Sequence, residues 1–207
     1  MSVSNSVSLE QVHNELNRCR KCLDGGHWIV PKAIYSGDAG AHVMTIGQAP
    51  GVTEVEAERP FNAGSGTRLF QWLAEAGFDE THFRAQQYMT SVTKCYPGRA
   101  RNGSGDRVPT REEQQLCLPY LQREIDLVDP QLIIPIGRLA INLFYPRREP
   151  LSRIIGGELH ENGHVIIPLP HPSGASRWHQ TEENRRRIQE AIKRIRTWRE
   201  SHLPKNV

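Results

Sequence analysis

Four short, almost wholly apolar runs set the main limit on how this chain can fold. They are Val43 to Gly47 (VMTIG), Tyr88 to Thr93, Leu132 to Gly137 (LIIPIG) and Val165 to Leu169 (VIIPL), with longer segments of helical spacing between them. Strands that are apolar on both faces belong in a mostly parallel sheet covered by helices on each side. The intervening segments fit that role. Ser65 to Gly77 places Leu69, Phe70, Leu73 and Ala76 at helical spacing, and Gly77 stands where a stop belongs. Thr110 to Glu113 is a capping box opening a helix that carries Cys117, Leu121, Ile125 and Val128 as far as Asp129-Pro130. Pro119 inside it is expected to kink it. Arg138 to Phe144 predicts a short helix, and Ile188, Ala191, Ile192, Ile195 and Trp198 mark one face of a C-terminal one.

In such a sheet the strand C-termini share one edge, and ligands bind outside that edge. The turns that follow the strands carry the polar and Pro/Gly-rich signals: Gln48-Ala49-Pro50-Gly51, Ser91 to Lys94, and His171-Pro172-Ser173-Gly174. One cleft is therefore expected to gather residues far apart in sequence. Glu54, Glu56 and Glu58 follow the first turn closely, Phe61 offers an aromatic ring, and Gly64-Ser65-Gly66-Thr67 starts a helix whose N-terminus favours an anion. There is no Gly-x-x-x-x-Gly-Lys-Ser/Thr phosphate loop and no Gly-x-Gly-x-x-Gly after the first strand, which argues against nucleotide hydrolases and dinucleotide enzymes. Ser65 and Ser91 lie in no nucleophile elbow.

Four cysteines, Cys19, Cys22, Cys95 and Cys117, form a pair plus two singles. Cys19 and Cys22 can face one point from a single turn. Four soft thiolates suit Zn2+ or an iron–sulfur cluster, and ligand type alone does not separate them. The 207 residues suit one domain spanning 1–207, and 37% hydrophobic with 24% charged residues is enough for a core without disulfides. The longest apolar run, Leu132 to Ile136, contains a proline and cannot span a bilayer, and Met1 to Leu9 lacks the regions of a signal peptide. These features predict a soluble cytoplasmic protein with no membrane partner, read as a monomer.

The net charge of +3 is mild, but its distribution is uneven. Residues 180–207 hold eight Lys/Arg against four Asp/Glu, and Lys94, Arg99, Arg101 and Arg107 stand against Asp106 alone. Two basic segments beside a cleft suit a phosphate backbone as well as they suit solvent. The loop from Gly98 to Val108 is expected to be the most mobile stretch.

Taken in order, GQAPG (47–51), RPF (59–61), GSG (64–66), KCYPG (94–98), PTREE (109–113), CLPYL (117–121) and HPSG (171–174) resemble the uracil-DNA glycosylase superfamily. The resemblance is strongest to its iron–sulfur branch, family 4. It implies a three-layer α/β/α sandwich around a four-stranded parallel sheet, with a [4Fe–4S] cluster on Cys19, Cys22, Cys95 and Cys117 that makes those segments a cluster lobe. Zn2+ is the alternative. It also implies a DNA repair enzyme that flips uracil out of DNA and hydrolyses its N-glycosidic bond without a lyase step. In that reading His171 and the amides near Gln48 stabilise the departing base, and Glu54 orients or activates water. Phe61 stacks on the base, while Gly47, Ala49, Gly51, Ser91, Ser173 and Arg177 shape its site. Ala175 is too small to fill the space of the flipped base, leaving Arg177 or Trp178 for that task. The chain also departs from the family's pattern. Ser91 stands where relatives carry Asn, and a hydroxyl cannot make both complementary hydrogen bonds of an amide. Residues 99–107 look inserted, and without a His there no covalent trap is expected. Two other readings follow: excision of another deaminated base such as hypoxanthine, and a non-catalytic iron–sulfur module that senses or binds DNA.

Overall fold

The computed structural model describes residues 7–62, 64–101, 103, 105–174, 176 and 178–204. In chain order the elements are α1 (Leu9–Asn17), α2 (Lys21–Asp24), β1 (Val43–Gly47), α3 (Val52–Ala57), α4 (Gly64–Glu75), α5 (Glu80–Gln86) and β2 (Tyr88–Ser91). There follow α6 (Arg111–Val128), β3 (Leu132–Pro135), α7 (Arg138–Ile141), α8 (Leu151–Ile154), β4 (Leu159–Glu161), β5 (His164–Ile166) and α9 (Glu182–His202).

The five strands lie in the order β2-β1-β3-β5-β4. β2, β1, β3 and β5 are mutually parallel, as expected; Met44 faces both Tyr88 and Ile133, and Leu132 faces Val165. The added strand, β4, pairs antiparallel with β5 at the sheet's edge. Asn162 and Gly163 between them have φ of +50° and +86°, which is the chemistry of a two-residue hairpin turn. The last predicted strand is shorter than expected, but its direction persists to Leu169, which bridges Ile136 in parallel.

Alternate strand residues serve opposite layers. Val43, Leu132 and Ile134 pack with Leu69, Phe70 and Leu73 of α4 and Ile188, Ile192, Ile195 and Trp198 of α9. Met44, Ile46 and Ile133 pack with Leu121, Ile125 and Val128 of α6. Each such fully buried aliphatic stabilises the fold by roughly 1.5–3 kcal/mol, which is what holds both helical layers on the sheet. α6 runs for 18 residues through Pro119 without a break, and the helix expected over 138–144 closes at Ile141. A smaller cluster of Val12, Leu16 and Tyr120 joins α1 to α6. No helix among the described residues is long and apolar enough to cross a membrane.

Candidate functional site

The C-terminal ends of β1 and β2 and the segment after β5 meet around one pocket. Gly47, Gln48, Ala49, Glu54, Phe61, Ser91 and His171 all line it, together with Ile34, Ser65, Thr90 and Ile136. Sequence order separates these groups by more than a hundred residues; the parallel sheet closes that gap.

Phe61 is held in place from several sides. Its φ of +52° is left-handed, a conformation that costs a residue with a side chain of order 1 kcal/mol or more. The surrounding groups enforce it. Its N–H donates to Glu54 Oε1 at 2.5 Å, and its carbonyl accepts from Arg84 Nη2 at 2.8 Å. Arg84 Nη1 holds the preceding carbonyl, Pro60, at 2.8 Å, while its Nε bonds Glu80 and its guanidinium lies over the Phe70 ring. A Cβ on Gly66 would stand 1.8 Å from the Phe61 oxygen, so only glycine fits there. The ring itself rests on Gly47, whose added Cβ would lie 3.1 Å from Phe61 Cζ and 3.7 Å from Ser91 Cβ.

Glu54 is the centre of this arrangement. Its Oε2 accepts the Gly51 N–H at 2.6 Å, closing the GQAPG turn as its Oε1 holds Phe61. Burial pushes its carboxyl above the usual carboxylate range, and the two backbone N–H groups pull the other way.

Burial favours the neutral form of the His171 ring by lowering its pKa, and the Ser173 N–H donates to its Nδ1 at 3.2 Å. A backbone donor needs a bare ring nitrogen, so the proton sits on Nε2 and that atom is the ring's donor. Ser91 Oγ donates to the Thr93 carbonyl at 2.8 Å, which leaves its lone pairs as acceptors. Ser173 therefore reaches the site through its backbone, and Gly51 through its bond to Glu54. Arg177 and Ala175 lie outside the described residues. Trp178 packs against the core instead of standing free. Arg84 was not legible as a site residue; nothing in an arginine on a polar helix announces two carbonyls twenty-odd residues away.

A second cavity lies beyond the end of β2. Cys19, from the turn after α1, Cys22 of α2, Cys95 and Cys117 of α6 all line it, among Leu16, Ile29, Ala33, Pro97, Pro109 and Leu116. All four are free thiols. Burial, with the other cysteines adding repulsion, pushes Cys22 up to about 11 and Cys95 up to about 12; burial also raises Cys117. Cys117 Sγ accepts the Lys94 N–H at 3.4 Å. Among the described residues no three His, Cys, Asp or Glu side chains close on a single metal ion. An apolar pocket that disfavours bare thiolates yet presents four thiols fits a cationic group with soft ligand preference.

One buried ion pair stands between the cavities. Lys94 Nζ and Glu124 Oε2 are 2.5 Å apart with side chains 1% and 0% exposed. The same ammonium donates to Thr90 Oγ1 and to the Ser91 carbonyl, each at 2.6 Å. Tyr88 and Thr90 hydroxyls donate to the Glu124 carboxylate. With every partner in place the charges are tolerable; either one alone would be costly.

Comparison with known proteins agrees with this architecture. The family model described as "Uracil DNA glycosylase superfamily" matches residues 34–196. A type-4 uracil-DNA glycosylase of Sulfurisphaera tokodaii is 30% identical over 200 residues, covering 91% of this chain and 84% of that relative. One from Thermotoga maritima is 27% identical, with 92% and 94% covered, and one from Pyrobaculum aerophilum 32%, with 72% and 73% covered. With the parallel sheet, the strand-end pocket and a family match over most of its length, this chain belongs to the uracil-DNA glycosylase superfamily.

Proposed function

We propose that this protein, acting as one domain over 1–207, removes uracil from DNA by hydrolysing the N-glycosidic bond of an everted nucleotide. The observation that carries the reading is that Phe61, Ser91, His171 and Glu54 line a single pocket. Phe61 offers its face to the base, and Ser91 Oγ accepts the imino N–H of its pairing edge. As the bond from sugar C1′ to the base breaks, its electron pair goes to the base. His171 donates from Nε2 to the base oxygen that gains this charge, together with backbone amides near Gln48. Water attacks C1′, its oxygen forming the new bond and its proton passing to Glu54. Each Glu54 oxygen keeps one lone pair beyond its backbone bond for that water. No covalent link to the protein forms, so no strand cleavage follows.

Cys19, Cys22, Cys95 and Cys117 would hold a [4Fe–4S] cluster. The four thiols line one cavity, and the resemblance to the iron–sulfur branch supports a cluster there, with Zn2+ as the alternative. When bound, the cluster supplies positive charge that ties α2, α6 and the segment after β2 together. Residues of this chain carry the chemistry.

A second substrate is favoured by one observation: Ser91 offers only acceptor lone pairs. Hypoxanthine also presents a ring N–H there, whereas cytosine presents an acceptor. Purified protein given single-lesion oligonucleotides, then alkali, should cleave at uracil, with hypoxanthine second and cytosine intact. His171→Ala should lose about 100- to 1,000-fold in kcat, the usual cost of an oxyanion donor. Intact uracil DNA at high enzyme excess would refute excision and favour the non-catalytic DNA-binding reading.

A further inference from the structure

The largest apolar group left bare among the described residues is Trp28, 65% exposed. Its surroundings hold it firmly. Val30 N–H donates to the Tyr96 carbonyl at 3.0 Å, and Arg107 Nη2 donates to the Trp28 carbonyl at 2.8 Å. Arg107 is fixed in turn by both oxygens of the buried Glu113 carboxylate. Gly98, at φ +100°, lies against the indole; a Cβ there would stand 2.4 Å from ring atom Cζ3. The backbone is anchored and the ring remains in solvent.

The two chain segments that meet at the ring are net basic, although Arg107 beside it is paired with Glu113. Residues 18–32 carry Arg18, Arg20, Lys21 and Lys32 against Asp24, and residues 99–107 carry Arg99, Arg101 and Arg107 against Asp106. Lys32 is paired with Glu58. The second segment folds back on itself: Arg99 bridges Asp106, and Arg107 N–H returns to the Gly98 carbonyl at 2.8 Å. Its base lies at Trp28. Its far side places Asp106 Oδ2 3.0 Å from where a Gly51 Cβ would stand, at the turn bounding the base pocket, with Tyr96 donating to Oδ1 at 2.8 Å. One strap thus spans from the indole to the pocket.

We infer that Trp28 is a stacking platform for an unpaired nucleobase of the bound DNA strand, a few nucleotides from the everted one. A lone exposed indole between two net-basic segments suits a π-face on a polyanion; protein partners need a broad apolar face. The inference rests on the DNA reading above and gives the enzyme a preference for single-stranded substrate, because only an unpaired base can leave its neighbours and lie on the ring.

The test uses full-length protein and a fluorescein-labelled oligo-dT without uracil, followed by anisotropy across a salt series. Trp28→Ala should weaken binding about tenfold or more, the usual scale of one base–aromatic stack. Trp28→Phe should retain most of it. The salt slope should stay as in wild type, since no charge is lost. Binding to a closed hairpin duplex should change less than twofold. Matching melting temperatures establish that both variants are folded. Unchanged oligo-dT affinity in Trp28→Ala, or equal losses on single strand and duplex, would overturn the platform. So would sedimentation showing that Trp28→Ala dissociates a dimer. If wild type binds neither DNA, the DNA reading itself fails; if only the variant result is null, the platform alone does.

Discussion

The two cavities flanking the end of β2 are built on opposite principles. In the pocket at the ends of β1 and β2, both Glu54 oxygens, His171 Nδ1 and Ser91 Oγ are already held by the protein's own backbone. The site is assembled before any substrate arrives. In the cysteine cavity burial raises the Cys22, Cys95 and Cys117 thiols, with only modest opposition such as the Lys94 N–H on Cys117. The first is fixed by the chain's own bonds; the second has the features of a site built around the cluster proposed above. A preorganised pocket and a proposed cofactor site thus sit one β-strand end apart.

Metal removal should therefore produce the largest effect and should fall on one side of this divide. Reduction and chelation should free four titratable thiols and lower the melting temperature by more than about 10 °C, since binding energy at structural metal sites is folding energy. An unchanged melting curve would mean that the lobe stands without its centre. A smaller effect is expected from Arg84→Ala. Without its two bonds, the left-handed Phe61 loses about 1–3 kcal/mol of support, so kcat/KM should drop roughly 10- to 100-fold. Visible absorption from the cysteine lobe should remain, and Arg84→Lys should recover part of the rate. Loss of that absorption in Arg84→Ala would show that the cavities are not independent.

The smallest effect concerns pH. His171 has a folded pKa below 6.5 because of burial. Between that lowered value and 6.5 the unfolded chain takes up the proton and the folded one does not, so stability falls as pH drops through the window. Wild type should lose more urea resistance than His171→Ala between about pH 7 and pH 5. Parallel losses would place no burden on the imidazole.

How much of this was legible beforehand depended on whether the signal was local. The four parallel strands were, because runs such as VMTIG and LIIPIG are apolar at every position. So was the capping box at Thr110, whose side chain accepts the Glu113 N–H while Glu113 reaches back to the Thr110 N–H. The antiparallel β4 carried a readable signal in Asn162-Gly163, but its outward residues are too polar for an apolar-run search to find. Within 98–108, expected as a mobile loop, the described ends at Gly98-Arg99 and Asp106-Arg107 bond to each other between Trp28 and Gly51, contacts distant in sequence that no local pattern announces. In the candidate site, the lining groups were readable from strand ends. The Arg84 clamp, the tautomer of His171 and the locked hydroxyl of Ser91 were not, since each is set by a partner's position in space.

Ser91 to Cys95 spans just the distance between the two cavities, with Lys94 bonded back to the Ser91 carbonyl and its own N–H on Cys117. This stretch works as a ruler. Adding or deleting one residue within it would misplace a wall of the base pocket or a sulfur, whichever end gave way. The neighbouring strap, attached by its ends, can change length without disturbing either. Length variation among natural or engineered versions of this protein should accumulate in the strap and be absent from the ruler.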